Sequence, residues 1–313
     1  MPHKESVKVK KLLRRIITFV TVMVVLVYGT GVVYDYFTDG FTVGQIISDR
    51  EPDSKWKTAS VALSLDQEYS YLGKGCQSYV FLSEDGKTVL KFVKLKHFRV
   101  PFWMNAFSFV PDIKKQVLRK EAKKKKELDQ LFQCWKDSYE QLPEETGVLY
   151  VHLDQSKIAE SIRLRDKMGF LHEVPVEKVD FLVQQRAELL APALQSLMQE
   201  GKVTEARLII TRLFQMCVKE YLRGYGDLDH ALMQNTGVIN GRSIHVDVGQ
   251  IVYREEFKQP EVYHQELYNK TFAFRVWLKK EYPELADHAK LELIKIIGEK
   301  KFVGMKYSLK YSG

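Results

Sequence analysis

The chain has 313 residues, of which 45% are hydrophobic and 28% charged, a composition typical of a folded globular protein. This length allows a membrane anchor and one two-lobed domain, and it excludes a large multidomain array. The formal net charge of +8 is concentrated in two clusters, with six Lys or Arg in residues 1–15 and eight between Lys114 and Lys126. Because the three cysteines form no C-x-x-C pair, we predict neither a disulfide framework nor a zinc site, and a reducing compartment is favoured.

The N-terminal segment predicts a membrane anchor behind a basic tail of residues 1–15. Residues 16–34 carry no charge and are mainly Val, Ile, Leu, Met and Phe, just long enough to cross the hydrocarbon core as a helix. We therefore predict a transmembrane helix over residues 16–37. The alternative is a cleaved signal peptide, although no small-x-small site follows. Since Asp35 and Asp39 follow the span, the positive-inside rule favours a cytoplasmic N-terminus and puts the rest of the chain across the membrane.

After the span, residues 38–60 carry scattered Asp, Gly, Ser and Pro, and we predict a juxtamembrane linker. The folded domain is expected to begin near Ser60. Three short β-rich runs with a Ser-Glu-Asp-Gly-Lys turn between the last two predict three antiparallel strands, at Tyr69–Gly73, Ser78–Leu82 and Thr88–Val93.

A long helix is predicted from Asp112 to about Glu140, after an aromatic stretch that we interpret as an insertion. Further strand-like runs follow, at Gly147–Leu153, Ile162–Leu164 and Val179–Gln184. The segment Phe181–Gln185 is expected to lead into a connection between two lobes.

The C-terminal half is predicted to be helical, with segments at Thr204–Tyr221, Val262–Tyr282 and Leu285–Ile297. We therefore divide the domain into an N-terminal lobe of residues 61–186 and a C-terminal lobe of residues 187–313. The predicted fold class is α+β, with a small antiparallel β lobe that carries one long helix and a larger α lobe.

Two motifs point to chemistry on phosphate groups. The first is Gly73-Lys74-Gly75-Cys76-Gln77-Ser78, whose glycines let the backbone approach phosphate oxygens, followed by Lys91 on a strand. The second contains Asp227, Asp229, Gln234 and Asn235, with Asp247 one hairpin later around Asn240-Gly241. Carboxylate and amide oxygens are suitable Mg²⁺ ligands. The alternative is that these acids are turn and cap residues.

Taken together, the motifs resemble the protein-kinase-like superfamily over roughly residues 65–255. The resemblance implies a two-lobed fold that binds ATP and Mg²⁺. It also implies that Lys91 pairs the nucleotide phosphates and is held by a helix carboxylate, for which Glu121 is the first choice and Glu127 the second. The loop over the phosphates would be formed by Gly73, Lys74, Gly75 and Ser78.

For the second motif, the resemblance implies that Asp229 is the catalytic base. The family's metal-binding amide stands five residues after the base, where this chain has Gln234, and Asn235 would serve if the loop is one residue longer. Asp227 stands where the family has its loop histidine and is a further candidate catalytic residue. Asp247 begins Asp-Val-Gly, which is similar to the metal-binding Asp-Phe-Gly.

We therefore predict a kinase-like protein, held in the membrane by residues 16–34, that binds Mg-ATP and transfers its γ-phosphoryl group to an unknown acceptor. The missing Ala-Pro-Glu motif favours a small-molecule or lipid-linked acceptor, and no nucleic-acid partner is expected. One alternative is a catalytically inactive pseudokinase scaffold. Another is an anchored protein whose Lys114–Lys126 cluster binds anionic lipid. A need for ATP conflicts with a domain across the membrane from the cytosol, so its side stays open.

Overall fold

A computed structural model describes residues 2–59, 65–156 and 160–308 of the chain. The expected start of the domain near Ser60 lies outside the described residues. The helices are α1 Pro2–Thr38, α2 Phe102–Ala106, α3 Pro111–Glu140, α4 Pro143–Thr146, α5 Leu190–Gln199, α6 Val203–Leu222, α7 Leu232–Asn235, α8 Pro260–Lys270, α9 Phe272–Glu281, α10 Pro283–Ile297 and α11 Glu299–Gly304. The strands are β1 Glu68–Lys74, β2 Ser78–Ser83, β3 Thr88–Val93, β4 Val148–His152, β5 Ser161–Arg165, β6 Leu171–Pro175, β7 Phe181–Gln185, β8 Glu188–Leu189, β9 Tyr225–Asp227, β10 Thr236–Ile239, β11 Arg242–His245 and β12 Ile251–Tyr253.

The N-terminal part of the domain is built on one seven-stranded sheet with the order β4-β7-β3-β2-β1-β5-β6. Neighbouring strands are antiparallel except β1 and β5, which run parallel. Strand β2 shows why the sheet forms, since its buried and partly exposed residues alternate with the period of two that a half-buried strand requires. The fold is therefore mixed α+β, with the three predicted strands at its centre.

Two hydrophobic cores lie on this sheet. Phe81 and Phe92 belong to one core, which also contains residues of β5, β6 and β7. The other core joins the sheet to α3 through Phe132 and Trp135. The apolar face of the second half of this long helix therefore packs on the sheet, while its basic residues face outward.

The C-terminal part is mainly helical and packs around α6. Ile210, Leu213 and Phe214 of this helix are fully buried, and the helix packs against α8 and α10. The helix predicted over Val262–Tyr282 is divided into α8 and α9 at Thr271. The hydroxyl of Thr271 donates to the carbonyl of Leu267 at 2.7 Å, a local bond that disturbs regular helix geometry.

The apolar N-terminal helix α1 contributes none of its described residues to the three hydrophobic cores above. Its segment Leu13–Thr38 has a mean hydropathy of 2.4 over its most apolar window and is long enough to span a membrane. The large apolar side chains from Leu13 to Val33 are exposed. An exposed apolar helix of this length is what a bilayer would cover.

The segment after this helix corrects the prediction of a linker over residues 38–60. Phe41, Ile46 and Trp56 are each at most 5% exposed and belong to the two cores of the sheet. Ile47 forms a β-bridge with Val179. We call residues 39–59 the strap. The sequence suggests a linker because the few apolar residues here have no regular spacing, and Phe41, Ile46 and Trp56 are buried only by distant parts of the chain.

Candidate active site

A cleft of about 700 Å³ lies between the seven-stranded sheet and the helical part of the chain. It brings together residues from both predicted motifs, which are separated by more than a hundred positions in the sequence. Of the predicted site residues, it is lined by Gly73, Lys74, Gly75, Ser78, Lys91, Asp229, Gln234, Asn235 and Asp247. Glu121, Glu127 and Asp227 do not line it.

The glycine-containing turn between β1 and β2 forms one wall of the cleft. The Gly75 N–H donates to the carbonyl of Ser78 at 2.9 Å, which closes the turn. A side chain added at Gly73 would meet no atom within 4 Å, so the backbone here borders open space. Lys74 also lines this wall, but its side chain has a partner outside the cleft. Its amine donates to the Asp39 carbonyl at 3.0 Å and is thus bound to the strap.

Lys91 extends from β3 into the half-buried base of the cleft, where its amine donates to the carbonyl of Val246. Burial lowers the pKa of this amine to about 8, and the nearby Asp247 carboxylate offsets only part of that effect. In the described part of the chain, no carboxylate lies within ion-pair distance of Lys91. The amine therefore lacks the counter-charge that a buried cation requires.

Neither acid predicted on the long helix reaches Lys91. Glu121 lines a separate groove beside Phe98 and Arg99 and does not line the cleft that contains Lys91. Glu127 forms an ion pair with Lys124 at 2.8 Å on its own helix. It nevertheless lines a groove next to Gly249, so it is the nearer of the two acids to the Asp-Val-Gly segment.

Asp229 is half-buried and lines the cleft. Its Oδ1 accepts a hydrogen bond from the Ala231 N–H at 2.9 Å, which fixes the side chain. Among the described residues, none donates to its Oδ2. One carboxylate oxygen is therefore held in place, and the other is available as an acceptor.

Asp227 is buried behind the cleft, which corrects its assignment as a catalytic residue. Its Oδ2 accepts from the Lys270 amine at 2.7 Å, and its Oδ1 accepts from the Asp229 N–H at 3.0 Å. The Lys270 amine also donates to the Asp229 carbonyl at 3.2 Å. Because both of its oxygens are occupied, Asp227 positions the loop that carries Asp229.

A second buried pair supports this loop. His245 Nε2 lies 2.9 Å from Glu220 Oε1, and its Nδ1 lies 3.8 Å from Asp227 Oδ2. Burial opposes the charged form of His245, but the Glu220 carboxylate outweighs it and raises the pKa of the imidazole. The sequence does not reveal Lys270 or Glu220, because neither lies in a motif. Lys270 reaches the loop from α8, and Glu220 reaches His245 from α6.

The structure distinguishes the two candidate amides. Asn235 is buried, directly precedes β10, and accepts the Val246 N–H on its carbonyl at 2.8 Å. This bond holds Asn235 beside the strand that leads to Asp247. Gln234 is exposed at the rim of the cleft. Asn235 is therefore held near Asp247 at the buried side of the cleft, whereas Gln234 lies at its exposed rim.

Asp247 and Asn235 provide an oxygen set that fits Mg²⁺. The Asp247 Oδ1 accepts from the Gly249 N–H at 3.0 Å, so its orientation is fixed. In the residues described, no three His, Cys, Asp or Glu side chains converge on one point. Proteins bind Mg²⁺ through one or two carboxylates together with phosphate and water, and the Asp247 carboxylate and the Asn235 amide are oxygen donors of the kind that this ion accepts.

The connection between the two parts of the domain forms the far wall, from Gln184 to Ala187. The Gln184 amide donates to the carbonyls of Thr146 at 2.6 Å and His245 at 2.7 Å, so it links the sheet to the helical part. Gly237 lies beneath this connection. A side chain there would come within 2.5 Å of the Ala187 Cβ, so only glycine permits the close approach.

No protein-family model matches the chain, and no curated protein matches it. Among solved structures, the chain is similar to monomeric WbdD, with 14% identity, a TM-score of 0.36 and coverage of 71% of this chain and 45% of that one. A 2.2 Å structure of WbdD matches with 14% identity and a TM-score of 0.35, over 76% of this chain and 46% of that one. A structure titled as the bifunctional kinase-methyltransferase WbdD matches with 13% identity and a TM-score of 0.35, over 76% of this chain and 45% of that one. The chain therefore spans less than half the length of these structures.

Proposed function

We propose that this protein is a kinase-like phosphotransferase that uses Mg-ATP and is anchored in a membrane by α1. The observation that carries the proposal is the convergence of Lys91, Asp229, Asn235 and Asp247 on one cleft beside a glycine-containing turn. A cation, a carboxylate base and a pair of oxygen ligands are the parts that phosphoryl transfer requires. The sheet with one packed helix and the larger helical part also suit the kinase-like fold that the motifs imply.

In this proposal, the chain contributes positioning and charge. Lys91 would pair with the phosphates, which supply the counter-charge that its buried amine lacks. Asn235 and Asp247 would hold Mg²⁺, and the ion would neutralise negative charge on the phosphates. The open backbone at Gly73 would leave room for the phosphates.

Asp229 would act on the acceptor. Its free Oδ2 would accept the proton of the acceptor hydroxyl, whose oxygen forms a bond to the γ-phosphorus. The bond between that phosphorus and the β–γ bridging oxygen breaks, and ADP leaves with the electron pair. General-base catalysis of this kind contributes about 10²–10⁴-fold to the rate.

The test is single-turnover transfer from γ-labelled ATP by the full-length protein in detergent, with water or added hydroxyl compounds as acceptors. We expect Asp229→Asn to retain nucleotide and to lose roughly 10²–10⁴ in rate, since the base acts only in the transition state. Glu121→Gln, on the separate groove, is the matched control and should behave as wild type.

A second function, nucleotide binding without transfer, is favoured by one observation. Lys91 contacts a backbone carbonyl and no acid of α3, whereas active kinases hold this lysine with a helix glutamate. If the wild-type protein binds Mg-ATP but releases no labelled phosphate under any acceptor condition, the scaffold function replaces the enzymatic one.

A further inference from the structure

Two turns and one longer segment lie at the same end of the seven-stranded sheet. Strand β1 ends at the glycine-containing turn, and the parallel β5 ends at the β5–β6 hairpin turn, Asp166–Phe170. Strand β3 pairs antiparallel with β2, so its last residue Val93 lies opposite Ser78 at this end too. The aromatic segment, residues 99–110, follows β3 on this side. We call this the distal end of the sheet.

Helix α1 also reaches the distal end. The Lys167 amine, in the β5–β6 turn, donates to the carbonyl of Tyr36 at 3.2 Å and pairs with Asp39 at 3.1 Å. The aromatic segment is tied to the strap, because Arg99 donates to the carbonyl of Ile47 at 2.9 Å. Tyr36, Asp39 and Ile47, which accept these contacts, all lie within nine residues of Thr38, where the apolar helix ends.

Large apolar side chains project into solvent from the β5–β6 turn and from the aromatic segment. Met168 and Phe170 are 54% and 60% exposed at the tip of a hairpin, where polar residues are the rule. Within the turn, Asp166 Oδ1 accepts hydrogen bonds from the N–H groups of both residues at 2.9 Å. In the aromatic segment Phe102, Trp103, Phe107 and Phe109 are at least half exposed.

The charge near these side chains is strongly positive. Helix α3 begins directly after the aromatic segment, and its first four turns carry eight Lys or Arg against a single Glu and Asp112. Exposed aromatic rings next to lysines are suited to the headgroup layer of an anionic bilayer, where rings enter the interface and cations meet lipid phosphates. The contacts of Lys167 with Tyr36 and Asp39 put this surface beside the end of the apolar helix, where a bilayer surface would lie.

We infer that the distal end of the sheet lies on the surface of the anionic phospholipid bilayer in which α1 is anchored. The aromatic segment and the tip of the β5–β6 turn enter the interface near the end of α1. The inference rests on the membrane anchor proposed above and is independent of phosphoryl transfer. It implies that the glycine-containing turn, which shares this end, opens close to the lipid headgroups.

Tryptophan quenching in full-length protein tests the inference. The protein is reconstituted in vesicles of phosphatidylcholine with or without phosphatidylglycerol, containing brominated lipid. Of the other three tryptophans, Trp56 and Trp135 are buried in the domain and Trp277 is half-buried against the C-terminal core, so quenching should come mainly from Trp103. We expect Trp103→Phe to remove most of the quenching, and high salt to reduce it.

Two added tryptophans in the Trp103→Phe background complete the design. Phe170→Trp should restore quenching, whereas Leu291→Trp, on an exposed face of α10, should not. If the protein floats with the vesicles but neither Trp103 nor Phe170→Trp is quenched, α1 is an anchor and the bilayer-facing surface is disproved. If Trp103 stays open to an aqueous quencher, the surface is left for a protein partner and the inference fails. A protein that does not float overturns the anchor and this surface together, while nucleotide turnover is measured separately.

Discussion

Asp227 and Asp229 are two residues apart in the sequence, but they occupy different environments. Asp227 is 5% exposed and bound to Lys270, whereas Asp229 is half-buried and faces the cleft. Burial disfavours the charge of Lys270, but Asp227 outweighs this effect and raises the pKa of the amine. The lysine is therefore charged, and it depends on a single carboxylate.

We predict that Asp227→Asn lowers the free energy of unfolding by about 3–5 kcal/mol, because it leaves Lys270 buried without its counter-charge. Asp229→Asn is the matched control and should unfold near the wild-type midpoint. Chemical unfolding of both variants in detergent provides the measurement. Equal stability of the two variants would show that Asp227 does not have the structural role assigned to it.

Lys91 leads to a prediction on pH dependence. Burial lowers its pKa to about 8 in the empty cleft, so above that pH the amine is mostly neutral and must take up a proton to pair with phosphate. Nucleotide affinity should therefore fall as pH rises through 8, by up to about tenfold per pH unit. Calorimetry in buffers of different ionisation enthalpy should detect the proton uptake. Lys91→Met should remove both effects, and an affinity of the wild type that is constant from neutral to alkaline pH would contradict the assignment.

For single residues, the sequence predicts the type of side chain at the candidate site better than the position that provides it. It brings out Lys91, Asp229 and Asp247, which the structure gathers in one cleft. It leaves Gln234 and Asn235 open, because a single extra residue in the loop changes which of them precedes β10. Lys270 could not be predicted, since only the fold brings α8 to the loop.

Among the elements, the strap is the one that connects several parts of the N-terminal half of the domain. Arg50 donates to Asp180 at 2.7 Å, and its guanidinium lies 4.4 Å from the ring centre of Phe132 on α3. Burial outweighs the arginine and raises the pKa of Asp180, whose second oxygen has no partner among the described residues. The strap thus links the end of α1 to both the sheet and the long helix.

We expect Arg50→Ala to cost about 3–5 kcal/mol of stability, because it removes the counter-charge of a buried carboxylate. Arg163→Ala, which disrupts an exposed pair with Asp66, should cost at most about 1 kcal/mol. Thermal unfolding of both variants measures the difference. If Arg50→Ala unfolds together with the Arg163 variant, the strap does not stabilise the domain.

The elements that were predicted correctly share a local pattern. Strands β1 to β3 and helix α3 each have an apolar period that their own sequence reveals. The strap and the break at Thr271 have none, because isolated residues such as Phe41 and Trp56 are buried by partners far along the chain. The seven-stranded order was also beyond prediction, since the parallel pairing of β1 with β5 joins segments about a hundred residues apart.

The whole molecule joins an apolar helix, the strap and a two-part domain with a cleft between its parts. The helix would anchor the domain, the strap would hold the distal end of the sheet near the bilayer, and the cleft would bind Mg-ATP. This arrangement would favour an acceptor presented at the membrane surface. Each of these roles depends on the cleft being a nucleotide site.

The most direct test is therefore calorimetric titration of the full-length protein with a non-hydrolysable ATP analogue, with and without Mg²⁺. We predict Mg²⁺-dependent binding that Asp247→Asn abolishes, because this variant removes the charged ligand of the cation. Asp287→Asn, which changes an exposed acid on α10, should leave binding unchanged. If the folded wild-type protein binds no nucleotide, or if Asp247→Asn binds Mg-nucleotide as tightly as wild type, the proposed site is wrong.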